Sequence, residues 1–256
     1  PHKENMYEGI EKKIKDVRQV IIAGGDGSFE GALNYKPLQN KTLGFFPMGA
    51  GNAFYSYFYK GKRFKYLRSR FPFREMKLDV LEVEWDKGKI ETMIFNLGID
   101  ADMIRLSSTR TKHGLFDYVR GSYKALTKSN ASYNICSVVD KKKSCFDNCA
   151  AICFGKVPYA GFSLRVLLGD VKPDDGNVYG TFCVNTHAPA FNKLVRIFGF
   201  VLSIFNLDKP PLFPYKGKEF HIESDIPFPM QAGGEYLGMS KWVKLRVKRK
   251  QKVLVI

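Results

Sequence analysis

Apolar residues at Met6, Tyr7, Ile10, Ile14 and Val17 recur at three- and four-residue intervals, which predicts an amphipathic helix over 3–18. A short apolar run at 20–23 then stops at Gly24-Gly25-Asp26-Gly27-Ser28. This reads as a buried strand entering a tight turn, with Ser28 as N-cap of a helix over 28–34. The pattern repeats: an apolar run at 43–46 is followed by Pro47-Met48-Gly49-Ala50-Gly51-Asn52 and an aromatic helix over 53–58. A basic, aromatic connector covers 60–74.

Beyond the connector the period changes to two, at Leu78, Val80, Leu81, Val83 and Trp85, then through 92–97. Further strands are predicted at 132–139, 150–154, 163–168, 178–184, 220–224, 230–232 and 242–247, with helices over 115–126 and 190–207. The second helix has a strongly apolar face and carries Lys193 and Arg196. The basic tail 248–252 leads into 253–256. These patterns predict an α/β first domain over 1–74 built on a parallel sheet and a β-rich second domain over 75–246, with residues 247–256 returning to the first. There are no repeats and no low-complexity segments.

The two glycine turns are where chemistry is expected. In a parallel α/β sheet both emerge at the carboxyl ends of strands, where ligands bind, and their N–H groups would form a phosphate cradle. Asp26 is the unusual member of that cradle. A carboxylate there implies a metal ion, a hydroxyl to deprotonate, or a hydrogen-bonded structural role.

The chain has 41 basic and 25 acidic residues, a net charge of +16, which favours nucleic acid, anionic lipid or phosphorylated ligands without choosing among them. No nucleic-acid module or basic-aromatic code is recognisable. The five cysteines, 136, 145, 149, 153 and 183, read as free thiols in a reducing compartment, and so as cytoplasmic. The longest apolar run, at 197–205, falls far short of the roughly 20 residues that cross a bilayer, which excludes an integral membrane protein.

Taken in order, Gly24–Ser28, Pro47–Asn52, Phe95-Asn96-Leu97-Gly98-Ile99-Asp100-Ala101, Pro173-Asp174-Asp175-Gly176 and Gln231-Ala232-Gly233-Gly234-Glu235 resemble the motifs of the diacylglycerol kinase catalytic family, which includes bacterial lipid kinases, sphingosine kinases and ceramide kinases. The resemblance implies an N-terminal α/β nucleotide-binding domain and a C-terminal β-sandwich. It also implies ATP and Mg²⁺ as cofactors, and a lipid hydroxyl as phosphoryl acceptor; the +16 charge would then serve peripheral contact with an anionic membrane surface. The family's usual first strand and helix are missing, which implies that a segment precedes Pro1. The ATP phosphates would be held by Gly24, Gly25, Asp26, Gly27 and Ser28, with Gly49, Gly51 and Asn52 on the opposite side. Asp26, Glu235 and Asp79 match the family's catalytic carboxylates, with Asp26 and Glu235 both open as the base. Asp175 matches a structural Mg²⁺ ligand, and Asp100 and Asp102 lie where sphingosine kinases face the lipid head group. A homodimer is left open.

Several positions depart from the family pattern. Gly233 replaces the Asp of Asp-Gly-Glu. Gly49-Ala50-Gly51-Asn52-Ala53 replaces Gly-Thr-Gly-Asn-Asp, with Ala53 in the manner of sphingosine kinases. The glutamate expected three residues before Asn34 is Gly31, with Glu30 one place early. These changes keep open a catalytically inactive lipid-binding or regulatory module of the same fold. An NAD kinase shares the first turn but not the second.

Overall fold

The computed structural model describes residues 10–49, 52–59, 73–107, 121, 123–125, 131–161 and 164–255. The predicted first helix is represented there by α1 (Glu11–Ile14). Gly51, nearly all of the connector 60–74 and most of the predicted helix 115–126 lie outside the described residues, although 121 and 123–125 are helical.

Strand β1 (Gln19–Gly24), helix α2 (Asp26–Asn34), strand β2 (Thr42–Pro47) and helix α3 (Ala53–Phe58) follow the predicted alternation. The N-cap of α2 is Gly25, not Ser28, because the chain is already helical at Asp26. Strands β1 and β2 are parallel, from Gln19 opposite Thr42 to Gly24 opposite Pro47.

The chain then forms β3 (Arg74–Trp85), β4 (Gly88–Thr92), β5 (Ile94–Gly98), α4 (Ile99–Ser107), β6 (Tyr133–Val139), β7 (Lys142–Gly155), β8 (Tyr159–Ala160), β9 (Leu164–Arg165), β10 (Val178–Val184), α5 (Asn192–Ile204), β11 (Leu212–Gly217), β12 (Glu219–Ala232) and β13 (Glu235–Val255). Most strands join one sheet in the order β1-β2-β13-β12-β5-β7-β10-β11, with β3 on β13 and β4, and β6 on β12 and β7. The expected parallel sheet is therefore a minor part of a mostly antiparallel one. Among the described residues, parallel pairing is limited to β1–β2 and the Val253–Leu43 pair between β13 and β2. Among the described residues of the strand predicted over 163–168, Leu164–Arg165 form β9, which pairs with β8. The three predicted closing strands are two long ones, β12 and β13, whose pairing continues through shifts of register.

Two cores lie on opposite faces of the β3–β13 ribbon. Leu78 and Val80 of β3 enter one, with Ile22, Phe29, Leu43, Phe45 and Phe54. Leu81 and Val83 enter the other, with Phe95, Phe154, Phe182, Phe220 and Val243. Successive strand residues point to opposite faces, so β3 serves both cores by moving from even to odd positions. On β13 the odd residues Val243, Leu245, Val253 and Val255 serve both, because the register shifts between Val247 and Arg249. One extra residue turns the side-chain phase over.

Not all the cysteines are free. Cys136 and Cys145 stand opposite each other in the β6–β7 hairpin, with Cα atoms 4.1 Å apart, and are disulfide-bonded. Cys149, Cys153 and Cys183 are free thiols. The spacing of the five in sequence does not reveal this pairing because the hairpin register creates it.

Candidate active site

The two glycine turns meet backbone to backbone. The N–H of Met48 donates to Gly24 O at 2.8 Å and that of Gly49 to the same oxygen at 3.2 Å. A Cβ on Gly49 would fall 2.3 Å from Gly25 Cα, so Gly49 cannot carry a side chain at the crossing, and one on Gly25 would be tight at 3.1 Å from Gly49 Cα. Asn52 adopts left-handed backbone (φ 45°), and its Oδ1 accepts the Gly49 N–H at 3.1 Å. Its Nδ2 donates back to Gly49 O.

Asp26 crosses from the first turn to the second. Its Oδ2 accepts the N–H of Ala53 at 2.9 Å and its Oδ1 that of Phe54 at 3.1 Å. Asp26 therefore caps α3, and the amides at the start of α3 are occupied. Ser28 and Phe29 N–H both bond Gly25 O, so α2 offers an anion its first two amides, at Asp26 and Gly27. Burial raises the pKa of Asp26 above the usual carboxylate value, partly countered by the two N–H bonds.

A cavity of about 220 Å³ opens beside Asp26, Ala53 and Phe54. It continues between β-strands, α4 and α5, past Ile99, Met103, Val166, Phe200 and Leu212. Four polar residues cross its sheet wall in one row, because strand register aligns them: Gln231 opposite Asn96, Asn96 opposite Cys153, and Cys153 opposite Thr181. Asn96 Oδ1 is buried with no hydrogen-bond partner among the described residues. Asp100 joins this wall from the first turn of α4, with Cys153 Sγ donating to its Oδ2 at 2.6 Å. Burial raises the Asp100 carboxyl too, against that hydrogen bond.

Asp102, the companion of Asp100, is absent from the cavity lining and pairs with Arg105 at 2.8 Å. Gly233 and Gly234 line the cavity at the β12–β13 turn, whereas Glu235, the first residue of β13, does not. With φ of +53° and +83°, the two glycines form the two-residue turn that needs left-handed backbone at both positions. The structure also accounts for the missing aspartate: a Cβ at Gly233 would fall 2.5 Å from Glu30 Cγ. Glu30 is buried, accepts the Met93 N–H through Oε1 at 3.0 Å, and has no partner for Oε2 among the described residues. Burial, with the nearby Asp26 charge adding to it, pushes its pKa up to about 8.

Asp79 and Asp175 form a second, separate group. Lys156 is fully buried, with Nζ 3.1 Å from Asp79 Oδ2 and 2.8 Å from Asp175 Oδ1. Asp175 Oδ2 also takes Lys216 at 2.9 Å and the Tyr179 hydroxyl at 2.6 Å. Burial would raise Asp175, but the hydrogen bonds from Lys156, Tyr179, Lys216 and Asn177 outweigh it and hold the carboxyl far below its usual range. The Mg²⁺ expected at Asp175 does not fit: two ammonium groups already occupy both oxygens, and a divalent cation would be repelled there. Lys156 escaped the sequence reading because Gly155-Lys156-Val157 looks like a strand end. Its only signal was a lone lysine beside the apolar run 150–154.

No protein-family profile and no curated protein sequence matches the chain. Solved structures do. The fold matches a diacylglycerol kinase from Bacillus anthracis str. Sterne with a TM-score of 0.65 and 15% identity, over 96% of this chain and 79% of that one. Two further structures from the same strain, whose diacylglycerol kinase assignment is provisional, match with TM-scores of 0.72 and 0.70 at 14% and 16% identity. Each covers 100% of this chain and 84% of its own. The chain thus has the fold of diacylglycerol kinase-like proteins along its length.

Proposed function

We propose that the chain is an ATP-dependent lipid kinase that transfers the γ-phosphoryl group to the hydroxyl of a diacylglycerol or sphingoid-type lipid at a membrane surface. The observation that carries this reading is that the glycine turn and an apolar cavity share Asp26 as a wall. The phosphate side is the Gly24–Ser28 turn, with amides at the start of α2. The lipid side is the cavity, whose polar row and Asp100 could hold a head group while its apolar walls take the chains.

Phosphoryl transfer is mostly positioning and charge neutralisation, and Mg²⁺ would arrive with the ATP phosphates and supply the neutralisation. Asp26 is the better-placed base of the two candidate carboxylates, since it lines the cavity and Glu235 does not. Its raised pKa makes it a stronger proton acceptor than an exposed carboxylate. Asp79 then acts from a distance, as part of the group bridged by Lys156.

The test is labelled ATP with Mg²⁺ and mixed micelles of diacylglycerol or sphingosine. Label is expected in the lipid, and Asp26→Asn should abolish its appearance. Undiminished transfer by that variant would remove Asp26 from the mechanism.

A second reading, an inactive lipid-binding module, is favoured by one observation: both Asp26 oxygens are committed to capping α3. Tight lipid binding without label transfer would select it.

A further inference from the structure

Helix α5 packs with its less apolar side inward. Its buried residues are Arg196, Gly199, Leu202 and Ser203. Leu194, Ile197, Phe198, Val201, Ile204 and Phe205 are exposed instead, at intervals that place them on one face. Leu194 is 64% exposed, Phe198 54% and Phe205 69%. A helix laid on a protein core has the opposite polarity. Single exposed apolar residues are ordinary, but a contiguous stripe of this kind marks an interaction surface.

Charge selects the occupant. From His187 to Leu207 the chain has no acidic residue, and it carries an exposed Lys193, with Arg196 turned inward. Of the strands packed against α5, β9 adds Arg165, whose guanidinium meets, among the described residues, only the carbonyls of Leu167 and Gly169, while Lys216 of β11 is taken by Asp175. Acidic residues stand beyond its two ends: Asp208 follows the helix, the bond from Gly169 N–H to Asn206 brings Asp170 close, and the bond between Asn148 and His187 brings Asp147 close at the other end. Two copies of a chain with a net charge of +16 repel each other, whereas an anionic lipid surface attracts it. The helix is also continuous with the cavity, because Arg196, Gly199, Phe200 and Ser203 line it from within.

We propose that α5 lies in the plane of a membrane containing anionic lipid, with the Leu194–Phe205 stripe inserted among the acyl chains and the cavity directly behind it. At 13 residues the helix is about 20 Å long, too short to cross a bilayer and suited to lying in its interface. Only the identity of what passes into the cavity rests on the lipid-kinase reading; the docking does not.

The experiment is co-sedimentation of the full chain, without ATP, with vesicles of phosphatidylcholine alone and of phosphatidylcholine with phosphatidylserine. The wild type should bind the anionic vesicles. Phe198→Glu and Phe205→Glu should each lower the partition coefficient at least tenfold, with circular dichroism and thermal unfolding unchanged. As an independent reading, Phe198→Trp should show blue-shifted emission on binding and quenching by brominated acyl chains. Unchanged partition in both glutamate variants would overturn the proposal, leaving the basic surface as the sole attachment. So would absence of vesicle binding by the wild type, whether the chain stays monomeric or forms a dimer that Phe198→Glu dissociates. Absence of phosphoryl transfer would leave these readings untouched.

Discussion

Two groups of buried and half-buried carboxylates are treated in opposite ways. Asp79 and Asp175 share the ammonium of Lys156, and Asp175 takes Lys216 as well. Asp26, Glu30 and Asp100 are met instead by backbone N–H groups and a thiol. Burial penalises charge in both places, but among the described residues only the first group has cations to offset it, so Asp175 is held low while the other three are raised. The first is an ion-paired clamp between β3, the 173–177 turn and β10. The second keeps proton affinity beside a cavity, which a proton-accepting site needs and a clamp does not.

Removing the cation should break the contrast with the largest effect. Lys156→Met would leave Asp79 buried without its closest cation and should cost about 3–5 kcal/mol, read as a lower urea midpoint. A cost below about 1 kcal/mol would show that charge does not hold the clamp.

Glu30→Gln should act in the other direction. The folded pKa of Glu30 lies above its unfolded value, so its stability contribution is present below about pH 4.5 and is lost as pH rises to about 8. Over that window the wild type should lose up to about 1.4 kcal/mol per pH unit through this group. The variant should lack that slope and be the more stable protein at pH 8.5 in urea unfolding. Asp175 has the opposite sign. Its folded pKa is lowered, so its contribution is present above the ordinary aspartate pKa of about 3.9 and is lost only in more acid solution.

Smaller effects sharpen the comparison. Gly233→Asp, which would recreate the family's Asp-Gly-Glu, should cost about 1–3 kcal/mol, because its Cβ meets Glu30 at a left-handed position. Pairing it with Glu30→Ala should recover part of the loss in thermal unfolding. Asp26→Asn should cost about 1 kcal/mol, since an amide can accept only one of the two N–H bonds that cap α3. Its transfer assay therefore belongs well below the unfolding midpoint.

Local pattern was enough for the two strand–turn–helix units, because glycine at the crossing and apolar runs before it are local demands. Period two was likewise enough to find strands after residue 75. It was not enough for their extent: β12 and β13 run through what looked like separate strands, since bulges break the alternation without ending the pairing. In the candidate site, Asp26 and Asp100 were legible as motif carboxylates and both line the cavity, whereas Asp102 and Glu235 matched equally well and do not. A one- or two-residue step along a helix or turn changes the direction of a side chain, and a motif does not record it.

By itself the sequence determined which residues can turn, which alternate and which share a helix face, because these follow from the backbone of a few consecutive residues. Only the tertiary structure decided what each face meets. It aligned Gln231, Asn96, Cys153 and Thr181 across four strands, joined Cys136 to Cys145, placed Lys156 between two aspartates, and set Glu30 against Gly233. It also turned the apolar face of α5 outward, where periodicity alone favours burial. Register and packing are non-local: they join residues tens of positions apart, and no local period encodes which partner arrives.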